Sequence, residues 1–219
     1  MIISPGRGYI FVHIPKTGGT AMALALEARA MKDDILIGDT PKALRRRRRL
    51  AALTPAGRLW KHSTLADIDG VLPPDQIAAM QVVTLVRNPW DRLVSYYHWL
   101  RAQTFAHPAV DLAGRLSFAD FLRDPSTQAS IAAHPFTHYI TDVTGRCHDA
   151  HMIRLEHFDQ DAAPFAAQLG VPLVLPRANA SARDRDFRRY YTDDTAAIVA
   201  RICAADIARF GYRFEGANN

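Results

Sequence analysis

The sequence predicts an α/β fold in which a parallel sheet is flanked by helices. Three observations lead to it. Short runs of branched and aromatic residues alternate with segments rich in helix formers, the order that packs helices over parallel strands through right-handed crossovers. Two of the strand runs end in a turn that opens at once into a helix, the connection at which such sheets present ligand sites. An apolar content of 48% over 219 residues fills one core, so a single domain spanning 1–219 is expected.

Tyr9-Ile10-Phe11-Val12-His13 is the first strand run, aromatic, branched or ring-bearing at every position, and reads as a buried strand. Pro15 stops the ladder, and Gly18-Gly19 permit a tight turn whose backbone N–H groups can approach a ligand closely. From Thr20 onward the residues are helix formers. A helix N-terminus offers unpaired N–H donors and a partial positive charge, and Lys16 stands beside it. That is the outline of an anion cradle. It departs from the nucleotide-triphosphate loop, where the lysine follows the glycines; here Lys16 precedes them. Taken alone, the stretch fits equally a glycine turn with a solvated lysine.

Gln81-Val82-Val83-Thr84-Leu85-Val86 is the second such strand. Arg87-Asn88-Pro89 then turn into a helix, with Asp91 in its first turn, where a carboxylate suits the helix dipole. Arg87 leaves the C-terminal end of the strand, the side on which open α/β sheets bind ligands. Ser95 lies about one helical turn further in and can offer a hydroxyl to a phosphate that Arg87 neutralises.

With both junctions in view, the chain resembles the sulfotransferases that use 3′-phosphoadenosine 5′-phosphosulfate (PAPS). Among them it is most similar to carbohydrate sulfotransferases of the heparan sulfate 2-O type and their bacterial relatives. Pro15-Lys16-Thr17-Gly18-Gly19-Thr20 resembles the family's 5′-phosphosulfate loop, and Arg87 with Ser95 resembles its 3′-phosphate site. The resemblance spans about Tyr9 to Phe214 and implies the sulfotransferase fold, a P-loop-NTPase-like parallel sheet flanked by helices. It implies PAPS as donor, 3′,5′-ADP as product and a hydroxylated acceptor, a glycan or glycolipid first, with a small alcohol left open. The stretch from Arg177 to Arg183 resembles the family's Asn-x-Ser loop that closes over the nucleotide, which adds Ser181 and Arg183 as binding residues. Phe136 to Thr141 corresponds to an aromatic-polar segment that faces nucleotide or acceptor in the family. One departure is Ala21, where relatives often carry a hydroxyl; it leaves one fewer phosphate donor.

Leu59-Trp60-Lys61-His62 reads as a short strand passing into a helix capped by Ser63 or Thr64. His62-Ser63-Thr64-Leu65-Ala66-Asp67 resembles the family's His-x-Ser/Thr-x-x-Asp context, whose histidine removes the acceptor proton. A sugar hydroxyl is a poor nucleophile, and an imidazole with a pKa near 6.5 is poised to take its proton as the S–O bond forms. The resemblance thus implies Lys16 and His62 as the catalytic pair, with Lys16 stabilising charge on the bridging oxygen. On sequence alone His62 is one of nine histidines and fits a capping or packing role as well. His13 reads as support for the loop. The remaining histidines show no metal-ligand pairing around a glutamate, and no catalytic metal is expected.

A formal charge of +5 favours anionic partners. The run Arg45-Arg46-Arg47-Arg48-Arg49, opened by Pro41, suits a solvated helix, an anionic-glycan site or a nucleic-acid patch. No stacking aromatics interleave with it, so no specific nucleic acid is expected. Cys147 and Cys203 give neither metal spacing nor a disulfide framework, which fits a reducing compartment and a cytoplasmic protein. The first eight residues carry no apolar run, and no stretch is long enough to span a bilayer, so any membrane contact is expected to be peripheral.

Further along, Asp34 to Gly38 reads as a short strand, and Leu116 to Asp124 as an amphipathic helix capped by Ser117. Pro125 and Pro135 frame another helical piece. His151 to Glu156 reads as a strand, and Phe158 to Leu169 as a helix closed by Gly170. Thr192 caps a helix running through Phe210, with Ile198, Val199, Ile202 and Cys203 inward. Two rivals to an acceptor sulfotransferase stand beside it. A nucleotide kinase is disfavoured by the position of Lys16 and by the lack of a strand ending in a clear magnesium-binding aspartate. A basic glycan- or nucleic-acid-binding protein on a catalytically inactive form of the fold would bind through Arg45 to Arg49.

Overall fold

The computed structural model describes residues 1–176 and 183–215. Along the chain these form β1 (Ile2–Ser4), β2 (Tyr9–Val12), α1 (Gly19–Glu27), β3 (Ile35–Leu36), α2 (Pro41–Arg46), α3 (Pro74–Ala79) and β4 (Gln81–Val86). They continue as α4 (Pro89–Arg101), α5 (Pro108–Arg115), α6 (Phe118–Arg123), α7 (Pro125–Ala132), β5 (Ala150–Arg154), α8 (Phe158–Leu169), α9 (Asp193–Ile202) and α10 (Ala204–Phe210). Contacts divide the chain into two compact units. One comprises Met1–Val86 with the described part of Phe136–Asn179; the other comprises Arg87–Pro135 with the described part of Ala180–Asn219.

The first unit holds the sheet, in the order β3-β1-β2-β4-β5. β2, β4 and β5 are parallel, with Val12 beside Thr84 and Thr84 beside Met152. β1 pairs antiparallel with both neighbours, Ile3 lying opposite Ile10 on β2 and Ile35 on β3. The class is α/β as expected, but the sheet is mixed rather than wholly parallel. The cause is local: Pro5–Arg7 form a tight 3₁₀ turn, and Gly8, at φ 67°, reverses the chain in fewer residues than a crossover needs. Three apolar residues at 1–3 are too short a run to register as a strand, yet all are buried.

One face of the sheet packs against α1 and α8. Tyr9, Phe11, Val83, Leu85 and Ile153 form a buried cluster with Met22, Ala23 and Leu26 of α1 and Ala162 and Phe165 of α8. Tyr9 meets Phe165 edge-on at 5.3 Å. Strand alternation turns Ile10, Val12 and Val82 to the opposite face, and these are buried too. Burial on both faces is why β2 and β4 read as largely apolar runs. Each such aliphatic or aromatic side chain contributes about 1.5–3 kcal/mol by leaving water.

The region around His62 departs from expectation. Leu59 to His62 is not a strand, and 63–70 is a series of turns rather than a helix. Ser63 Oγ accepts from Trp60 N at 2.9 Å and donates to the Arg58 carbonyl at 2.9 Å. Thr64 N and Oγ1 both donate to Asp67 Oδ2, at 2.7 and 3.1 Å. Such side-chain bonds offer the backbone an alternative to a helical ladder, and here they prevail.

In the second unit α4 buries Trp90, Leu93, Val94, Tyr97 and Leu100. Trp90 Nε1 donates to the Ala196 carbonyl on α9 at 3.0 Å, and Tyr97 Oη to the Leu116 carbonyl at 2.7 Å. Ser117 caps α6 and Asp124 caps α7, accepting from Asp120 N at 3.2 Å and Thr127 N at 2.8 Å. The expected last helix is two, α9 and α10, divided at Cys203, whose backbone (φ −110°, ψ 20°) leaves the helical region. Val199 and Cys203 are buried as expected. Among the described residues no helix is long and apolar enough to cross a membrane.

Candidate active site

In the first unit β2 leads through residues 13–18 into α1. Thr17 is fully buried and its Oγ1 donates to the Ile14 carbonyl at 2.9 Å, so the turn itself occupies this hydroxyl. Lys16 has φ 66°, the one positive φ outside glycine among the described residues. A left-handed backbone costs an L-residue about 1–2 kcal/mol. Gly18, at φ 88°, caps α1. A Cβ on Gly18 would stand 2.9 Å from Leu155 Cδ1, and one on Gly19 only 2.0 Å from His13 Cδ2. Glycine at both positions lets the loop lie against the sheet and against His13. The first-turn N–H groups of α1, from Gly19 to Ala21, have no acceptor within the helix, and the helix dipole adds positive charge where Lys16 stands. Pro15, Lys16, Gly18 and Thr20 are half-buried, leaving the loop accessible.

His62 is fastened to this loop through His13. Its Nδ1 donates to the His13 carbonyl at 2.7 Å, and the two rings meet edge to face at 4.5 Å. A carbonyl only accepts, so the imidazole proton sits on Nδ1 and Nε2 carries the lone pair. Burial pushes the His62 pKa down to about 4; the His13 carbonyl works against that shift and the Lys61 cation with it. His13 is held well below the usual imidazole range, by burial first and by His62 next. Both rings are therefore neutral at pH 7, and Nε2 of His62 is a base without competition from a resident proton. Trp60 flanks the His62 ring at 4.9 Å. Leu65 N and Ala66 N donate to the carbonyls of Tyr139 and Thr141, at 3.0 and 3.2 Å. Buried Phe136, Tyr139 and Ile140 thus belong to a segment that buttresses the His62 turn.

In the second unit Asn88 caps α4, its Oδ1 accepting from Trp90 N at 3.0 Å. Asp91, in the first turn, binds two arginines. Its Oδ2 accepts from Arg87 Nε at 2.9 Å and Nη2 at 2.6 Å, and its Oδ1 from Arg183 Nη2 at 2.6 Å. One carboxylate orients two guanidiniums whose side chains are only 14% and 9% exposed. Ser95 follows one turn along α4 and is buried. The structure so gathers Arg87 and Arg183, which the sequence assigns to different motifs. Ser181 lies outside the described residues.

Two participants were read from the sequence without their distant partners. Asp91 was legible as a first-turn acid, and its four-residue spacing from Arg87 was a signal for the pair; its bond to Arg183 was not. His13 as the link between loop and base had no local signal, because its partner is 49 residues away. The arginine run, finally, divides in two. Arg46 Nη1 donates to the Met31 carbonyl at 2.7 Å and Arg49 Nη1 to the Lys32 carbonyl at 2.6 Å, while Arg45, Arg47 and Arg48 are exposed.

No family model matches the chain, and no curated protein matches it. Among solved structures, mouse sulfotransferase SULT7A1 complexed with PAP is similar over 92% of this chain and 84% of that chain, at 14% identity and a TM-score of 0.45. At that identity and TM-score the function has to be argued from the residues themselves.

Proposed function

We propose that the protein transfers a sulfuryl group from PAPS to a hydroxyl of an acceptor, a carbohydrate in the first instance. The observation that carries this is the double role of His13. Its carbonyl fixes His62 with Nε2 as the basic nitrogen, and its ring lies against Gly19 at the start of α1. Base and anion loop are thereby built onto one another.

In the proposed reaction Lys16, Gly18, Gly19 and Thr20 hold the 5′-phosphosulfate through main-chain N–H groups, the Thr20 hydroxyl and the Lys16 ammonium. Arg87, Arg183 and Ser95 hold the 3′-phosphate of the same donor, the group that sets PAPS apart from ATP. His62 Nε2 takes the proton of the acceptor hydroxyl as its oxygen attacks sulfur in line. The bond from sulfur to the bridging oxygen breaks, and 3′,5′-ADP leaves with the electron pair, its charge met by Lys16. By analogy with phosphoryl transfer, positioning and charge stabilisation supply most of the acceleration. The exposed Arg45, Arg47 and Arg48 favour an anionic glycan as acceptor.

The direct test is transfer from sulfur-labelled PAPS to a panel of cell-derived glycans. Labelled product is expected with at least one glycan, and His62→Ala should lower the rate ~10²–10⁴-fold. An undiminished rate in His62→Ala removes the histidine from the mechanism. No transfer to any glycan, with no affinity for 3′,5′-ADP, overturns the reading as a whole.

A further inference from the structure

α4 carries Asp91, Ser95 and His98 at helical spacings that place them on one face. His98 stands one turn beyond Ser95 and belongs to neither phosphate motif. Its ring packs edge-on against Tyr190 at 5.2 Å and against Tyr97 at 5.7 Å. Its Nε2 is enclosed and has no hydrogen-bond partner. Neither tyrosine hydroxyl serves it: Tyr190 Oη accepts from Asp184 N at 2.9 Å, and Tyr97 Oη donates to the Leu116 carbonyl at 2.7 Å. The charged groups that act on the imidazole are Arg183 and Arg101, the latter lying over the Tyr97 ring at 5.7 Å. Both are cations. Burial and these two arginines keep the imidazole below its ordinary pKa, so it is neutral at pH 7. An enclosed imidazole nitrogen without a partner is rare in native proteins and calls for an explanation.

We infer that His98 is a further ligand of the nucleotide's 3′-phosphate, binding it through Nε2 together with Arg183 and Ser95. The inference rests on the nucleotide reading above and extends it to a residue outside the motifs. A phosphate monoester is mainly dianionic at pH 7 and above. Placed between Arg183 and His98, it replaces repulsion by the two arginines with attraction to an anion. In this inference the resting proton of the neutral imidazole sits on Nδ1, so that Nε2 takes up a second proton from the buffered solvent on binding and the resulting N–H donates to a phosphate oxygen. Binding of 3′,5′-ADP is therefore coupled to proton uptake.

Calorimetric titration of the full chain with 3′,5′-ADP at pH 7.0, in buffers of different ionisation enthalpy, measures that uptake. The unmodified chain should take up a fraction of a proton, at most about one, beyond the uptake of His98→Gln. His98→Gln, which keeps a neutral donor near the same place, should still bind, with affinity lower by up to about tenfold. In the unmodified chain the His98 Cε1–H resonance, assigned by its loss in His98→Gln, should move toward the imidazolium position on adding ligand; this needs no variant to bind. Equal uptake and equal affinity in the two chains, with an unmoved resonance, overturn the role of His98 while leaving the nucleotide reading intact. Absence of 3′,5′-ADP binding in the unmodified chain overturns both.

Discussion

His62 Nδ1 stands 2.7 Å from the carbonyl oxygen of His13, and this bond decides which nitrogen of His62 can act. It also sets a pH dependence. The folded pKa of about 4 lies below the ordinary imidazole value near 6.5. Between those values the unfolded chain binds a proton that folded His62 refuses. The stabilising contribution is thus complete above about pH 6.5 and is lost as pH falls toward 4; His13, shifted the same way, adds to it. Denaturant midpoints measured from pH 7.5 to 4.5 should fall with pH, and less steeply in His62→Gln. A slope identical in the two chains contradicts the assignment.

Gly19→Ala places a methyl 2.0 Å from the His13 ring, which is buried, so ring or loop must shift. Overpacking of this kind costs about 1–3 kcal/mol. Because His13 carries His62, turnover should fall as well, by more than the lost stability explains. A Gly19→Ala protein with parental turnover would show that the loop and the base are independent.

Lys16→Gly separates chemistry from conformation. Glycine relieves the left-handed backbone at φ 66° but gives the unfolded chain more freedom, so stability should stay within about 1 kcal/mol of the parent. Turnover should nevertheless be almost abolished, as in Lys16→Ala. Sulfate transfer that survives in Lys16→Gly assigns the charge stabilisation elsewhere.

Asp91→Ala leaves two largely buried guanidiniums without their common acceptor. The expected loss of stability is roughly 1–3 kcal/mol, with weaker binding of 3′,5′-ADP because Arg87 and Arg183 are no longer aligned. Arg87→Ala should weaken the same ligand with less effect on turnover at saturating donor. Calorimetry on both variants tests this, and unchanged affinity in Arg87→Ala argues against a 3′-phosphate site there.

Within the arginine run, Arg46→Ala and Arg49→Ala each remove a bond to the carbonyls of the 31–34 turn and should lower the melting temperature. Joint replacement of Arg45, Arg47 and Arg48 by Ala should leave it nearly unchanged and raise KM for an anionic glycan. The reverse pattern would make the exposed arginines structural.

The fold was legible where the chain speaks locally. The apolar runs of β2 and β4, the Gly170 stop of α8 and the Ser117 cap of α6 all follow from neighbouring residues. What stayed hidden depended on distant partners or on competition. β1 was too short to register and is held by its antiparallel neighbours. The expected helix after His62 lost to the Ser63, Thr64 and Asp67 side-chain bonds. Both strand-to-helix junctions proposed to bind phosphate were legible as junctions because each is continuous in sequence. The bonds of their supports to distant residues were not: His13 holds His62 through a carbonyl, which any residue possesses, and Asp91 reaches an arginine far along the chain.

The central claim is that the chain is built for an adenosine carrying phosphate at both its 3′ and 5′ positions. Thermal shift in EDTA with 3′,5′-ADP, run beside Mg-ATP, tests it most directly. At a ligand concentration of 100 Kd the expected stabilisation by 3′,5′-ADP is about 2.7 kcal/mol, reduced in Arg87→Ala, with little response to Mg-ATP. A chain stabilised by Mg-ATP and indifferent to 3′,5′-ADP is a different enzyme from the one described.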